Sequence, residues 1–323
     1  MTGGSLARRP GAAFWLLLSV LTLAACAASL LVGPLDDPPA WVLLRLRLPR
    51  LALALLGGAS LSVAGCVLQS ILRNDLATPY TLGISAGAGL ASGAIIVAGA
   101  SIPVVGMVAA GTGGALLAVL AVFLLAGASR RSDTGATLLL AGVTINLMGA
   151  SVLLLLEYFS DADRILEIVR WMMGDLAAVG WEKPLFLLPA AIAGTAVVLS
   201  RTGVLNQMAQ GDDMAASRGV SVGRERNLLL AAAAVLAGAT VGVTGPVGFV
   251  GLIVPHVMRR LRGGDYRTLV PASVLGGMLL VVSADILSRI VISPAELPIG
   301  VTMALLGGPF FLVLLIRGES GRD

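Results

Sequence analysis

GPVGFVGLIVPHVMRRLRGGDYRTLVPAS, residues 245–273, is the stretch on which the reading of this chain turns. It packs a Gly-Pro break, a short apolar segment, a Pro-His pair and an arginine cluster into one run. Gly245, Pro246, Gly248 and Gly251 cannot sustain a membrane-spanning helix with ordinary backbone hydrogen bonding, so a helix broken inside protein is expected. Arg259, Arg260 and Arg262, then Asp265 and Arg267, give the next turn the positive charge that marks the cytoplasmic side of a membrane protein. The segment predicts an all-α polytopic membrane protein with a discontinuous element, and it sets an orientation.

Composition agrees. With 57% hydrophobic and 12% charged residues over 323 positions, the chain lies far outside soluble globular usage. A net charge of +4 could suit nucleic acid, but the arginines fall in short clusters between apolar runs and aromatics are only 4%. Positive-inside topology accounts for the excess, and no nucleic-acid partner is expected. Cys26 and Cys66 both sit in apolar runs, where neither a disulfide nor a metal site is expected.

Three further blocks stand out: Arg47-Leu-Pro-Arg50, the run GCVLQSILRNDLATPYTLGISAG from Gly65 to Gly87, and PAELPIGVTMALLGGPFFLVLLIR from Pro294 to Arg317. Together with GPVGFVGLIVPH and its basic turn, they closely resemble the permease subunits of the FecCD family, the ABC importers for iron-siderophores, haem and vitamin B12 of which the BtuC-type permease is one. The resemblance spans nearly the whole chain. It implies a permease fold of about ten transmembrane helices with both termini cytoplasmic, in a bacterial cytoplasmic membrane. It also implies a second permease subunit, identical or homologous, two cytoplasmic ATPase subunits and an extracytoplasmic substrate-binding protein. The chain itself would hold no cofactor, ATP being used by the partner ATPase, and the cargo commonest in the family is a ferric siderophore.

The chain reads as a single permease domain over 1–323 in these terms. Ala12 to Val32 contains Leu23-Ala-Ala-Cys26, which has the look of a lipoprotein cleavage box, but the apolar run continues past it and is read as the first span. Pro34 to Trp41 is expected to be an external loop, with the second span from about Leu48 to Leu72. Pro79 is expected to open a short third span rich in small residues, which allow close helix approach in lipid. Spans four and five are placed at about Val104–Ala126 and Thr134–Leu156, span six at about Pro184–Leu199, and spans seven to ten follow to Ile316. Residues 157–183 are too charged to span, yet Ile165, Ile168, Val169 and Met172 give them an apolar helical face. They are read as an external interfacial helix, with Trp171 and Trp181 near headgroup depth. On this topology fifteen of the 22 Lys and Arg residues fall inside and seven outside, in the sense the positive-inside rule requires.

Residues 203–227 form a polar cytoplasmic segment. Asp213, Ala215, Ala216, Arg218 and Gly219 echo the acid-Ala-Ala then Gly pattern by which permeases of ABC importers dock a short helix on the ATPase, with Arg218 standing where the family usually has Leu. Residue types alone also fit a solvated loop. Outside, the resemblance assigns Arg47, Arg50 and Arg289 to docking of acidic residues on the binding protein. Headgroup contact for Arg47 and Arg50, and an intrahelical pair of Asp285 with Arg289, are the competing readings.

Gly142, Asn146 and Gly149 share one face of the fifth span and are the candidates for the translocation pathway. An interhelical hydrogen bond is the other reading of Asn146. No Gly-rich Lys-Ser/Thr phosphate loop is present, so the chain is a transport subunit and no enzyme. The single histidine, His256, has no companion ligands at useful spacing and is read as structural, with no metal site. An ion-driven secondary transporter would need acidic or hydroxyl groups clustered mid-span, and Asp285 alone, four residues before an arginine, is a poor start for one.

Overall fold

The computed structural model describes residues 11–33, 39–99, 103–128, 134–293 and 295–319. All regular secondary structure among them is helical: α1 (Ala12–Leu31), α2 (Ala40–Val42), a π-helical turn (Leu43–Arg47), α3 (Leu48–Leu72), α4 (Ile84–Val97), α5 (Val104–Ala128), α6 (Thr134–Tyr158), α7 (Ala162–Met172), α8 (Glu182–Ser200), α9 (Thr202–Met208), α10 (Asp212–Ser217), α11 (Val222–Thr244), α12 (Val250–Arg262), α13 (Tyr266–Ile290) and α14 (Ile299–Glu319). Among the described residues, 7 helices are long and apolar enough to cross a membrane. α4 has 14 residues and α12 has 13, which at 1.5 Å per residue rise only about 20 Å, short of a full hydrocarbon core. Arg8, Arg9, Arg130, Arg131 and Arg322, which are among the fifteen expected on the inner side, lie outside the described residues, as do five positions of the loop expected at 34–41.

α2, the π turn and α3 run as one rod, Ala40–Leu72. The second span was expected to begin at Leu48 and Trp41 to lie in a loop, whereas the helix starts eight residues earlier and includes Trp41. Pro49 explains the form of the rod. A proline inside a helix lacks the N–H that its i−4 carbonyl needs and crowds that carbonyl, here that of Arg45. The π turn absorbs the crowding, and the Gly180 N–H takes the freed Arg45 carbonyl at 2.8 Å.

α3 is the centre of the bundle. Its span is 83% buried, against 17% for α1 and α6, and it is wrapped by α13, α11, α8 and α12. The close approaches rest on small residues. A Cβ at Gly58 would collide with the Gly277 carbonyl of α13, and one at Gly65 with the Gly251 carbonyl of α12. α4 and α5 meet in the same way through Gly87 and Gly114. Polar side chains tie the same helices where lipid offers no competing donor: Ser62 Oγ donates to the Ser273 carbonyl at 2.6 Å, and Gln69 Nε2 to the Gly251 carbonyl at 3.1 Å.

α7 carries the apolar face expected of it, and Ile168 is fully buried. Trp171 is half-buried, packed against the edge of the apolar core near Gly89, while most of α7 is exposed. Trp181 remains 42% exposed.

Candidate functional site

The break between α11 and α12 is built by Gly245 through Phe249. Gly245 has φ +68, and a Cβ there would strike the Trp171 carbonyl, so both its conformation and its surroundings require glycine. Phe249 also has positive φ, +67, which is rare for a residue with a side chain and costs on the order of 1 kcal/mol. Its ring fills the space where a Cβ on Gly307 of α14 would stand, and that contact holds the strained residue in place. The Asp175 N–H caps α11 at the Thr244 carbonyl, 2.7 Å away. The end of α7 then joins the start of α14: the Gly300 N–H donates to the Met173 carbonyl at 3.0 Å and the Ile299 N–H to the Gly174 carbonyl at 3.2 Å.

These contacts form one wall of an open groove of about 1000 Å³. The groove runs between α6, α7, α12, α14 and the loop after α3, with Met173, Phe249, Leu153 and Phe311 among its lining residues. Among the described residues, Glu157 is the one charged residue in that lining. The α6 residues that reach the groove are Ala150, Leu153, Leu154 and Glu157. Gly142 packs on Thr81 and Leu82 and Gly149 faces Ala86 of α4, so both glycines seat α6 on its neighbour. Asn146 is half-buried on the same helix.

At the end of the bundle where α1 and α13 terminate, two arginines are built into the fold. Arg47 Nη1 donates to the carbonyls of Leu30 and Leu31 at 2.6 and 3.2 Å, and Arg289 Nη1 to those of Ser29 and Val32 at 3.0 and 2.9 Å. Their guanidinium groups satisfy the last turn of α1 and complement its dipole. Each residue is only 8% exposed. Asp285, 1% exposed, faces Arg289 Nη2 at 3.0 Å and Arg50 Nε at 2.8 Å, so the intrahelical pair with Arg289 forms and a second cation joins it. Arg50 also meets Glu296 at 2.6 Å, and the Glu296 side chain is 42% exposed. Glu296 and the α1 carbonyls as partners of these arginines were missed from sequence; the Pro294–Arg317 block contains Glu296 but gives no sign of which cation it meets.

At the opposite end α9 and α10 fold the polar segment into a compact hook. Ala215 is fully buried, while Asp213, Ala216, Arg218 and Gly219 are exposed, with Met214 at 47%. Asp212, at the head of α10, pairs with Arg226 of α11 at 2.5 Å. Gly219 has φ +84 and open space around it, so conformation alone calls for glycine there. Nearby, Arg259 ties α12 to the end of α3 through Asp75 at 2.5 Å and Gln69 at 3.1 Å. His256 is half-buried on α12.

Residues 13–317 match the FecCD transport family. The chain belongs to that family. Its FecCD relatives include the vitamin B12 import system permease protein BtuC of Vibrio cholerae, 40% identical over 94% of this chain and 94% of that protein. The hemin transport system permease protein HmuU of Yersinia pestis is 39% identical over 87% of this chain and 84% of its own length. The iron(3+)-hydroxamate import system permease protein FhuG of Bacillus subtilis is 36% identical over 86% of this chain and 84% of its own. Among solved structures, an inward-facing conformation of a metal-chelate type ABC transporter superposes with a TM-score of 0.87 at 30% identity, covering 94% of this chain and 99% of that one. A FecCD chain is the permease component of an ABC importer, embedded in the membrane by several helices.

Proposed function

We propose that this FecCD permease moves a ferric siderophore into the cytoplasm as one half of a dimeric pore. The observation that carries the reading is the apolar groove of about 1000 Å³, which one chain leaves open along its flank. A second copy or a homologous chain facing it would close a passage wide enough for a metal chelate, and ligand sites of this size are commonly apolar with few polar groups. α4 and α12, enclosed by longer helices, and α14, 21 residues long, would count as further spans, which gives ten spans with both termini inside, in a bacterial cytoplasmic membrane.

The exposed face of α10, with Asp213, Ala216, Arg218 and Gly219, is the surface offered to the ATPase. Its attachment through Ala215 and the Asp212–Arg226 pair makes it a rigid handle on α11, and α11 leads directly to the break that walls the groove. ATP binding by the partner would bias two arrangements of that break, and transport needs only such a difference in energy. The extracytoplasmic binding protein docks on the arginine-rich end, where guanidinium groups suit carboxylate partners.

Uptake of labelled ferric siderophore into cells lacking this chain, with cobalamin and haem in parallel, tests the cargo. Loss of ferric siderophore uptake alone supports the reading. Selective loss of cobalamin or of haem uptake would move the assignment to that branch, the two alternatives that the 40% identity to a BtuC protein and the 39% identity to HmuU keep level. Uptake that depends on an ion gradient and is indifferent to the ATPase would indicate a secondary transporter; the one deeply buried carboxylate of α13, Asp285, is held between Arg50 and Arg289 and is poorly placed to carry a coupling ion.

A further inference from the structure

Three arginines gather at the outer end, and they are not equivalent. Arg47 and Arg289 are nearly buried and hold the carbonyls that end α1. Withdrawing either would leave main-chain acceptors unsatisfied at the membrane boundary, so neither guanidinium is available for exchange. Arg50 differs. Its Nε is fixed on Asp285, a carboxylate 1% exposed, while its Nη1 reaches outward to Glu296, whose side chain is 42% exposed. One side of this guanidinium is therefore structural and the other is held by a partner that water can reach.

We infer that Glu296 occupies the place on Arg50 that a carboxylate of the extracytoplasmic binding protein takes on docking. The inference rests on the docking reading above and narrows it to one of the three arginines. An incoming carboxylate would replace Glu296 like for like, so the buried Asp285–Arg50 contact survives and no cation is left unpaired. A half-exposed pair contributes little to stability, so the exchange costs little.

The displaced residue is wired to the groove. Just beyond Glu296, the Leu297 N–H donates to the Ser288 carbonyl at 2.9 Å, and Ile299 and Gly300 donate to Gly174 and Met173. Gly300 and Met173 both line the groove. Release of Glu296 thus frees the segment that joins the outer surface to the groove wall, and a docking event at Arg50 acquires a route to the passage.

The test is capture of a purified, loaded ferric-siderophore-binding protein from the same host by the complete transporter in lipid nanodiscs. Glu296→Gln removes the competing charge and, for a pair of this exposure, should tighten capture roughly fivefold. Arg50→Gln should abolish capture, and Arg50→Lys, which keeps the charge on Asp285, should retain the fold while weakening it. Capture unchanged or weaker in Glu296→Gln, with Arg50→Gln defective, would overturn the exchange and leave docking at Arg50 standing. Capture intact in both folded Arg50 variants would overturn the docking reading itself.

Discussion

Phe249 keeps its left-handed backbone with its ring pressed into the notch left by Gly307. The contact pins the break between α11 and α12 to α14, so the notch must stay empty of any other side chain. Gly307→Val should cost roughly 1–3 kcal/mol, the usual range for overpacking. A thermal unfolding series in detergent would register this as a lowered midpoint, and Phe249→Gly in the same background should recover part of the loss because it removes both the clash and the strained φ.

Asp285 gives a second expectation. It is the carboxylate shared by Arg50 and Arg289, and it is almost wholly enclosed. Removing one member of a buried ionic group leaves the others uncompensated, at a cost of about 3–5 kcal/mol. Asp285→Asn should therefore reduce the yield of folded protein in membranes sharply, measured by fluorescence size-exclusion of a tagged chain, whereas Glu296→Gln at the exposed side should leave the yield near wild type.

Coupling can be separated from folding at α10. Arg226→Ala breaks the pair with Asp212 but leaves the exposed face of the helix intact. In proteoliposomes holding the full transporter, transported cargo per ATP hydrolysed should fall by roughly tenfold, since a loosened handle transmits less of the bias. An unchanged ratio would mean that α10 does not transmit it.

The groove predicts a blockage. Ala304 lines it and is exposed on α14. Ala304→Trp should stop uptake while leaving thermal stability and capture of the binding protein unaltered, because the new ring projects into open space. Normal uptake would place the passage elsewhere on the chain.

Much of this architecture is written in residue types. Gly245 to Gly251 announced the broken helix, and the bounds of α5, α6 and α8 fall within two residues of those expected from hydrophobic runs. The early start of the second helix was not legible, because the π turn that carries it past Pro49 and the Gly180 donor that takes the freed carbonyl leave no local pattern in sequence. The face of α6 that carries Gly142 and Gly149 was correctly seen as one stripe, but a small-residue stripe is equally a seat for a neighbour, and here α4 and the loop before it sit on it. The groove face offers Leu153 and Leu154, which no one-dimensional pattern separates from lipid-facing leucines. Arg47 and Arg289 were legible as cations at an unexpected end of the molecule. Their partners were not, because main-chain carbonyls of α1 carry no signature in sequence.

The ending of α1 has a consequence for how the protein is made. Its last carbonyls are completed by Arg47, and then by Arg289, which lies 260 residues further along from Ser29. α1 is thus finished by a helix synthesised long after it, and until then water at the bilayer surface must serve in place of Arg289. A chain released before α13 would carry an unfinished α1, a defect by which quality control could recognise a truncated permease.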